Sequence, residues 1–315
     1  MSTIQRHKAL KPGDTIGIIS PSSPADVKHI RNGINLIEKA GFKAKRGALL
    51  LGHSSSGLFS GSVQERVAEI HDMWRDPDVN AFIIADGGFG AAQLLTFLDY
   101  DLFSKFPKIL MGFSDATALT NALYARSNIV TFDGPVASVR SGEKGRGDTD
   151  GLMRAIGLLQ DTSSWGDRSL KLGDSLIRTV NKGKARGVAI GGNLTTFAYL
   201  IGSPYLPNVD DAILFLEDTS IGGYELWALL EHLELSGIMD RVAGVVLGEF
   251  SKLPKKVDPG DPSIDDVISK FFTGKVPCLS GFNFSHGDVA GVIPIGCIVS
   301  IDADARTLSF EAPLK

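Results

Sequence analysis

Only 2 cysteines occur in the 315 residues, Cys278 and Cys297. They fit no metal-ligand spacing and read as two reduced thiols of a cytoplasmic protein. The 6 histidines are scattered at positions 7, 29, 53, 71, 232 and 286, with no HExxH pair, so no metal site is expected. The opening MSTIQRHKALKPGD has no apolar core of a signal peptide. No apolar run approaches the roughly 20 residues that span a bilayer, so no membrane partner is expected. A strong excess of charge is missing too. The formal net charge is −4, which argues against nucleic acid as a partner. The one basic stretch, RSGEKGR at 140–146, is too short and too mixed to change that. There are no long repeats and no low-complexity segments. What remains is ordinary: 43% hydrophobic and 22% charged residues, the profile of a globular protein large enough for one or two domains.

The first half alternates two periodicities. DTIGIIS at 14–20 reads as a strand, and residues 25–40 as a helix with Ile30, Ile34 and Ile37 on one face. FKAKRGA at 42–48 is a weaker strand. SVQERVAEIHDMWRD is a helix with Ser62 placed to cap it. NAFIIAD, KILMGFS and NIVTFDG follow as strands, with AAQLLTFLDY at 91–100 as a helix between the first two. Strands alternating with helices imply a parallel sheet covered on both faces. Ligands of such sheets bind beyond the carboxyl ends of the strands. Ser23, Gly88 and Ser114 all lie just past strand ends, so one crevice can hold them.

The rhythm fails in SSWGDRSLKLGDSLIRTVNKGKA at 163–185, which is polar and turn-rich. It reads as a crossover. The expected fold is therefore α/β, with a nucleophile-bearing, Rossmann-like parallel domain over 1–160, a linker over 161–186, and a smaller mixed or β-barrel-like domain over 187–315. That second domain carries the helix NLTTFAYLIG, the strand AILFLED, a helix over 224–235, the strand AGVVLGEF, the helix SIDDVISKFFTG and several short strands.

The most informative stretch is KILMGFSDATALTNALYA at 108–125. A buried strand over 108–113 runs straight into a helix from 115, and Ser114 stands at the turn. A hydroxyl there projects from a strained position, beside the N–H groups and positive dipole end of the helix. That is the geometry of a nucleophile elbow, although Ala116 stands where the G-x-S-x-G pattern has its second glycine. When the turn is taken alone, capping of the helix by Ser114 or Asp115 is the better explanation of the same residues.

Three further signals bear on that choice. Asp86-Gly87-Gly88-Phe89-Gly90 follows a strand, and its glycines let the backbone turn sharply and present N–H groups. Glu217 ends an apolar run. His286 lies in the loop GFNFSHGD, and histidine is the usual general base near neutral pH. Together they supply a nucleophile, oxyanion donors, an acid to orient the base, and the base.

Several separate motifs, in order, cover nearly the whole chain: LKPGDTIGIISPSSP, FSGSVQERVAEIHDMWRDPDVNAFIIADGGFGAAQLL, GFSD, GVAIGGNLTTFAYLIGSPYLP, LFLEDTSIGGYELWALLEHLELSGIMDRVAGVVLGEF, FNFSHGD and IPIGCIVSID. In these the chain resembles the LD-carboxypeptidase and microcin C immunity family of serine peptidases. The resemblance implies that Ser114 is the nucleophile, His286 the base and Glu217 its orienter, with the N–H groups of Gly88 and Asp115 as oxyanion hole. It implies no cofactor, and a small peptide or peptide-nucleotide as substrate. One departure is Asp86, where the family often has Arg before the Gly-Gly pair.

The expected reaction is release of a terminal D-amino acid from a murein tetrapeptide, as in peptidoglycan recycling. The alternatives are an immunity hydrolase for aminoacyl-nucleotide antibiotics and a silent binding protein of the same fold. Ser23, Phe89, Asn193 and Trp165 are the candidate substrate contacts. Asn193 also suits a helix cap, and Trp165 also suits packing between domains. Arg140 and Arg146 could reach a terminal carboxylate. Trp227, Leu230 and Leu233 form a helical stripe that is either core or the face of a homodimer.

Overall fold

The computed structural model describes residues 4–50, 57–140, 149–163, 165, 177–251, 260–284, 286 and 291–315. Arg146, most of the 140–146 loop and much of the polar crossover lie outside them.

The first sheet is built from β1 (Thr15–Ile19), β2 (Lys43–Arg46), β3 (Val79–Ile84), β4 (Ile109–Met111) and β5 (Thr131–Asp133), all parallel, in the order β2-β1-β3-β4-β5. The helices between them are α1 (Val27–Lys39), α2 (Val63–Arg75), α3 (Tyr100–Lys105) and α4 (Thr117–Ser127), with α5 (Thr149–Gln160) after the last strand. Their starts are set by side chains. Asp26 accepts the N–H groups of Lys28 and His29 at the head of α1. Ser62 and Glu65 form a reciprocal capping box on α2. The helix expected over 91–100 is instead two pieces, a 3-10 turn at Ala91–Phe97 and then α3. Asp99 divides them, because its carboxylate accepts the Leu102 N–H and starts a new helix.

The second half contributes β6 (Arg178–Asn181), β7 (Lys184–Asn193), α6 (Leu194–Ala198), β8 (Ile213–Thr219), α7 (Gly223–Leu235), β9 (Gly244–Ser251), α8 (Ile264–Phe272) and β10 (Cys278–Ser280). Strand β11 (Ile293–Ile295) then returns to the first sheet and pairs antiparallel with β5, before β12 (Ile298–Asp302) and β13 (Thr307–Phe310). The second sheet runs β13-β12-β7-β8-β9-β10-β6, a curled half-barrel with parallel strands at its centre. The turn-rich reading of the crossover fails at its end, where β6 pairs with β10.

The core is continuous across both sheets, and Trp165 sits in it. Its ring lies 5.9 Å from Phe132 and 6.5 Å from Phe310, and its indole N–H donates to the Leu158 carbonyl at 3.2 Å. Leu230 and Leu233 are buried, while Trp227 is partly exposed and packs edge-on against Phe271. Both cysteines are buried free thiols, and burial pushes the Cys297 thiol up to about 12.

His7 gives the fold an acid limit. It is buried, and its Nε2–H donates to the Val130 carbonyl at 2.7 Å. Burial is the main cause of a fall in its pKa from 6.5 to about 4, against the opposing pull of that carbonyl. The unfolded chain takes up this proton near pH 6.5, and the native chain does so only near 4. Stability from His7 is thus complete above pH 6.5 and drains away as pH falls toward 4, by roughly 3 kcal/mol. Denaturant melts at pH 7 and pH 4.5 should show His7→Phe losing less stability on acidification than the native protein.

Candidate active site

Ser114 occupies the turn between β4 and α4 with φ of +64°, a left-handed conformation that residues with a Cβ seldom adopt. A 3-10 turn over Ser114–Ala116 leads into α4, so the helix begins two residues later than its sequence suggests. Ser114 is the first residue of this turn and caps neither element, since the N-cap positions of the turn and of α4 fall to Phe113 and Ala116. The capping account of Ser114 therefore fails, and the strained elbow stands.

Glu217 lies within β8, directly opposite Asn193 of β7. The pairing of β8 with β9 slips between Leu216 and Asp218, so Glu217 sits at a bulge, a device that re-aims a side chain. It is fully buried, and both of its oxygens face His286. The His286 Nδ1 lies 3.1 Å from Oε1 and 2.9 Å from Oε2, and the His286 backbone N–H donates to Oε2 at 3.3 Å. A carboxylate only accepts, so Nδ1 carries a proton, and in the neutral ring Nε2 holds the lone pair. That Nε2 is buried without a hydrogen-bond partner among the described residues. The ring packs edge-on against Phe113, centroids 4.9 Å apart, and Phe113 is the residue before the nucleophile candidate. Of the two hydrogen bonds expected of His286, the one to Glu217 is made. None is made to the Ser114 hydroxyl.

The glycine turn faces the same elbow. Gly88 has φ of +107°, and a Cβ there would collide with the Ser23 side chain. Ser23 Oγ in turn accepts the Phe89 N–H at 3.2 Å. Ser23, Gly88 and Phe89 are thus neighbours, with the Phe89 ring half exposed at the tip. Asp86 is occupied locally, its Oδ1 accepting the Gly87 N–H at 2.8 Å. Asp115 binds the turn to the elbow, because its Oδ2 accepts the Ala91 N–H at 2.7 Å. Burial raises the Asp115 pKa, while the Ala91 N–H and the charge of Arg66 oppose the rise.

Arg66 is the residue that the sequence reading overlooked. It is buried on α2, donating to the carbonyls of Pro21 (2.6 Å), Gly90 (3.1 Å) and Gly61 (3.1 Å) and to Gln93 (2.8 Å). It knits the loops after β1 and β3 to one another. Its signal was present in the sequence, since Arg66 falls in the same helical stripe as Ile70, Met73 and Trp74.

Asn193 is buried, and its side chain is bonded within the second half of the chain. Its Oδ1 caps α6 through the Thr196 N–H and hydroxyl, and its Nδ2 donates to Asp218 at 2.8 Å and Glu217 at 3.4 Å. Trp165 packs in the core against Phe132 and Phe310, the packing role that its sequence also suits. Among the described residues no cluster of three or more His, Cys, Asp or Glu could hold a metal, and no helix is long and apolar enough to cross a membrane.

The model of the LD-carboxypeptidase N-terminal domain matches residues 16–134, and that of the C-terminal domain matches 186–301. A probable murein peptide carboxypeptidase of Bacillus subtilis is 31% identical over 310 residues, covering 98% of this chain and 94% of its own. The chain belongs to the LD-carboxypeptidase family. The LD-carboxypeptidases are serine peptidases, and this chain is one of them. Another relative is the microcin C7 self-immunity protein of Escherichia coli, 30% identical over 336 residues, covering 97% of this chain and 96% of its own. The structure of that immunity protein, MccF, with glutamyl sulfamoyl guanosine superposes with a TM-score of 0.85 at 28% identity, covering 98% of this chain and 99% of the other. This LD-carboxypeptidase has the same two-part α/β architecture.

Proposed function

We propose that Ser114, His286 and Glu217 act together to hydrolyse an L,D-peptide bond and release a terminal D-amino acid from a murein tetrapeptide. The observation that carries this reading is the buried Glu217–His286 pair, whose Nε2, unpartnered among the described residues, lies in a ring packed on Phe113, one residue from a serine held at positive φ.

Ser114 Oγ attacks the scissile carbonyl as its proton passes to His286 Nε2. Glu217 holds the ring and balances the imidazolium charge. The N–H groups of Gly88 and Asp115 receive the developing oxyanion, and the Asp115–Ala91 bond keeps the two loops in place. The C–N bond breaks as Nε2 returns the proton to the leaving amine. Water then attacks the acyl-enzyme, giving its proton to His286, and Ser114 leaves with that proton. Ser23 and Phe89 would line the substrate side of the crevice.

In this reading the 1–160 part supplies the nucleophile, 161–186 crosses over, and 187–315 supplies the acid and base. The protein works in the cytoplasm, in peptidoglycan recycling, and as a homodimer. It needs neither metal nor cofactor. A second substrate class is supported by the likeness to MccF, whose structure holds an aminoacyl sulfamoyl nucleoside.

One experiment tests both. Purified protein is incubated in parallel with murein tetrapeptide and an aminoacyl sulfamoyl adenylate, with and without EDTA, and products are read by mass spectrometry. Release of D-alanine from the tetrapeptide, unchanged by EDTA, is the expected result. Cleavage of the adenylate alone would favour the immunity reading, and a chelator-sensitive reaction would overturn the serine mechanism.

A further inference from the structure

The nucleophile belongs to one sheet, and the acid and base belong to the other. Their relative position is therefore a matter of how α4, which follows Ser114, meets β7, which lies beside Glu217. We propose that Thr117 and Asn121 are positioning residues that set Ser114 in register with the Glu217–His286 pair. This rests on the catalytic reading above.

Three hydrogen bonds cross this boundary. Thr117 Oγ1 accepts the Asn193 N–H at 3.0 Å. Asn121 Oδ1 accepts the Gly191 N–H at 3.0 Å, and its Nδ2 donates to the Gly191 carbonyl at 2.8 Å. Asn121 thus reads both polar groups of one residue on the opposing strand. The same Nδ2 also donates to the Thr117 carbonyl at 2.9 Å, which ties the two positions into one unit. Both side chains are fully buried. They are four residues apart and so share one face of α4.

The strand is shaped to receive them. Gly191 and Gly192 have φ of +110° and +131°, and a Cβ on Gly192 would stand 2.7 Å from Thr117 Oγ1. Across the β7–β8 pairing, Gly191 lies opposite Phe215 and Asn193 opposite Glu217. Asn193 closes the path, since its N–H is held by Thr117 and its Nδ2 reaches Glu217. An unbroken chain of bonds therefore runs from the helix of Ser114 to the partner of His286.

An apolar contact would hold the two layers together without fixing their offset. Hydrogen bonds are directional and weaken steeply when misaligned, so this set fixes it. The offset matters because a displacement of about 1 Å can cost on the order of 100-fold in rate.

Thr117→Val keeps the shape and removes the acceptor, and Thr117→Ser restores it. For turnover of murein tetrapeptide, Thr117→Val should lower kcat about 10-fold with KM within about twofold of native. Labelling of Ser114 by a small fluorophosphonate, which does not depend on substrate contacts, should slow by a similar factor. Thr117→Ser should stay within about twofold of native in both measurements. Asn121→Leu should repeat the kcat loss from the second position, with the folded fraction checked by its melting curve. The inference is overturned if folded Thr117→Val matches the native protein, or if Thr117→Ser is as impaired as Thr117→Val. It is also overturned if the loss falls on KM. A native protein that neither turns over a substrate nor labels at Ser114 would instead sink the catalytic reading on which this one rests.

Discussion

Ser114→Ala should abolish turnover while the protein melts close to the native temperature. Loss of a triad nucleophile reduces kcat by as much as a million-fold, on the order of what separates a working triad from its scaffold. Stability should hardly change, because Ser114 caps neither the 3-10 turn nor α4 and is only half-buried. Alanine also inherits the same backbone strain at φ +64°. Glycine does not, so Ser114→Gly should be equally inactive yet melt higher than Ser114→Ala, by an amount worth about 1 kcal/mol. Kinetics and calorimetry on the three proteins check both halves. A Ser114→Ala protein that keeps most of its activity would end the serine mechanism.

Glu217→Gln should cost about 10,000-fold in kcat, second only to loss of the nucleophile. The amide can occupy the same space beside His286. It cannot carry the charge that balances an imidazolium, and its NH2 group would confront Nδ1–H or the His286 backbone N–H, both of which donate to the carboxylate. The ring would be drawn toward the wrong tautomer, with the proton on Nε2, where a base needs its lone pair. Steady-state kinetics on a variant shown to be folded by its melting curve make the measurement. Activity within tenfold of native would show that the carboxylate has only a structural part.

The strands and most helices were legible because apolar periodicity is local. Ile30, Ile34 and Ile37 mark α1 without reference to anything else. The elbow was legible for a similar reason, since a strand that turns directly into a helix leaves one residue at the corner. Helix α5 was not, because Gly151 and Gly157 interrupt an otherwise helical spacing of Leu152, Ile156 and Leu159. Glu217 and His286 are 69 residues apart. Nothing local joins them, and only the resemblance of the motifs did so. The bonds of Arg66 and Asn121 were beyond reach in the same way, because all but the one from Arg66 to Gln93 are made to backbone atoms, which every residue has. A sequence can mark a buried polar side chain by its place in an apolar stripe, but it does not name the carbonyl that satisfies it.

The return of β11 to the edge of β5 bears on how the chain is made. Synthesis delivers the five parallel strands of the nucleophile sheet first, and β11 only after residue 292. Until then β5 is an open edge, a place where a strand from another chain can add. The same late segment lies just beyond the His286 loop, so the strand that seals the nascent sheet and the loop that brings the base emerge together. Closure of the first sheet and arrival of the proposed proton acceptor are thereby one event in the life of the nascent chain.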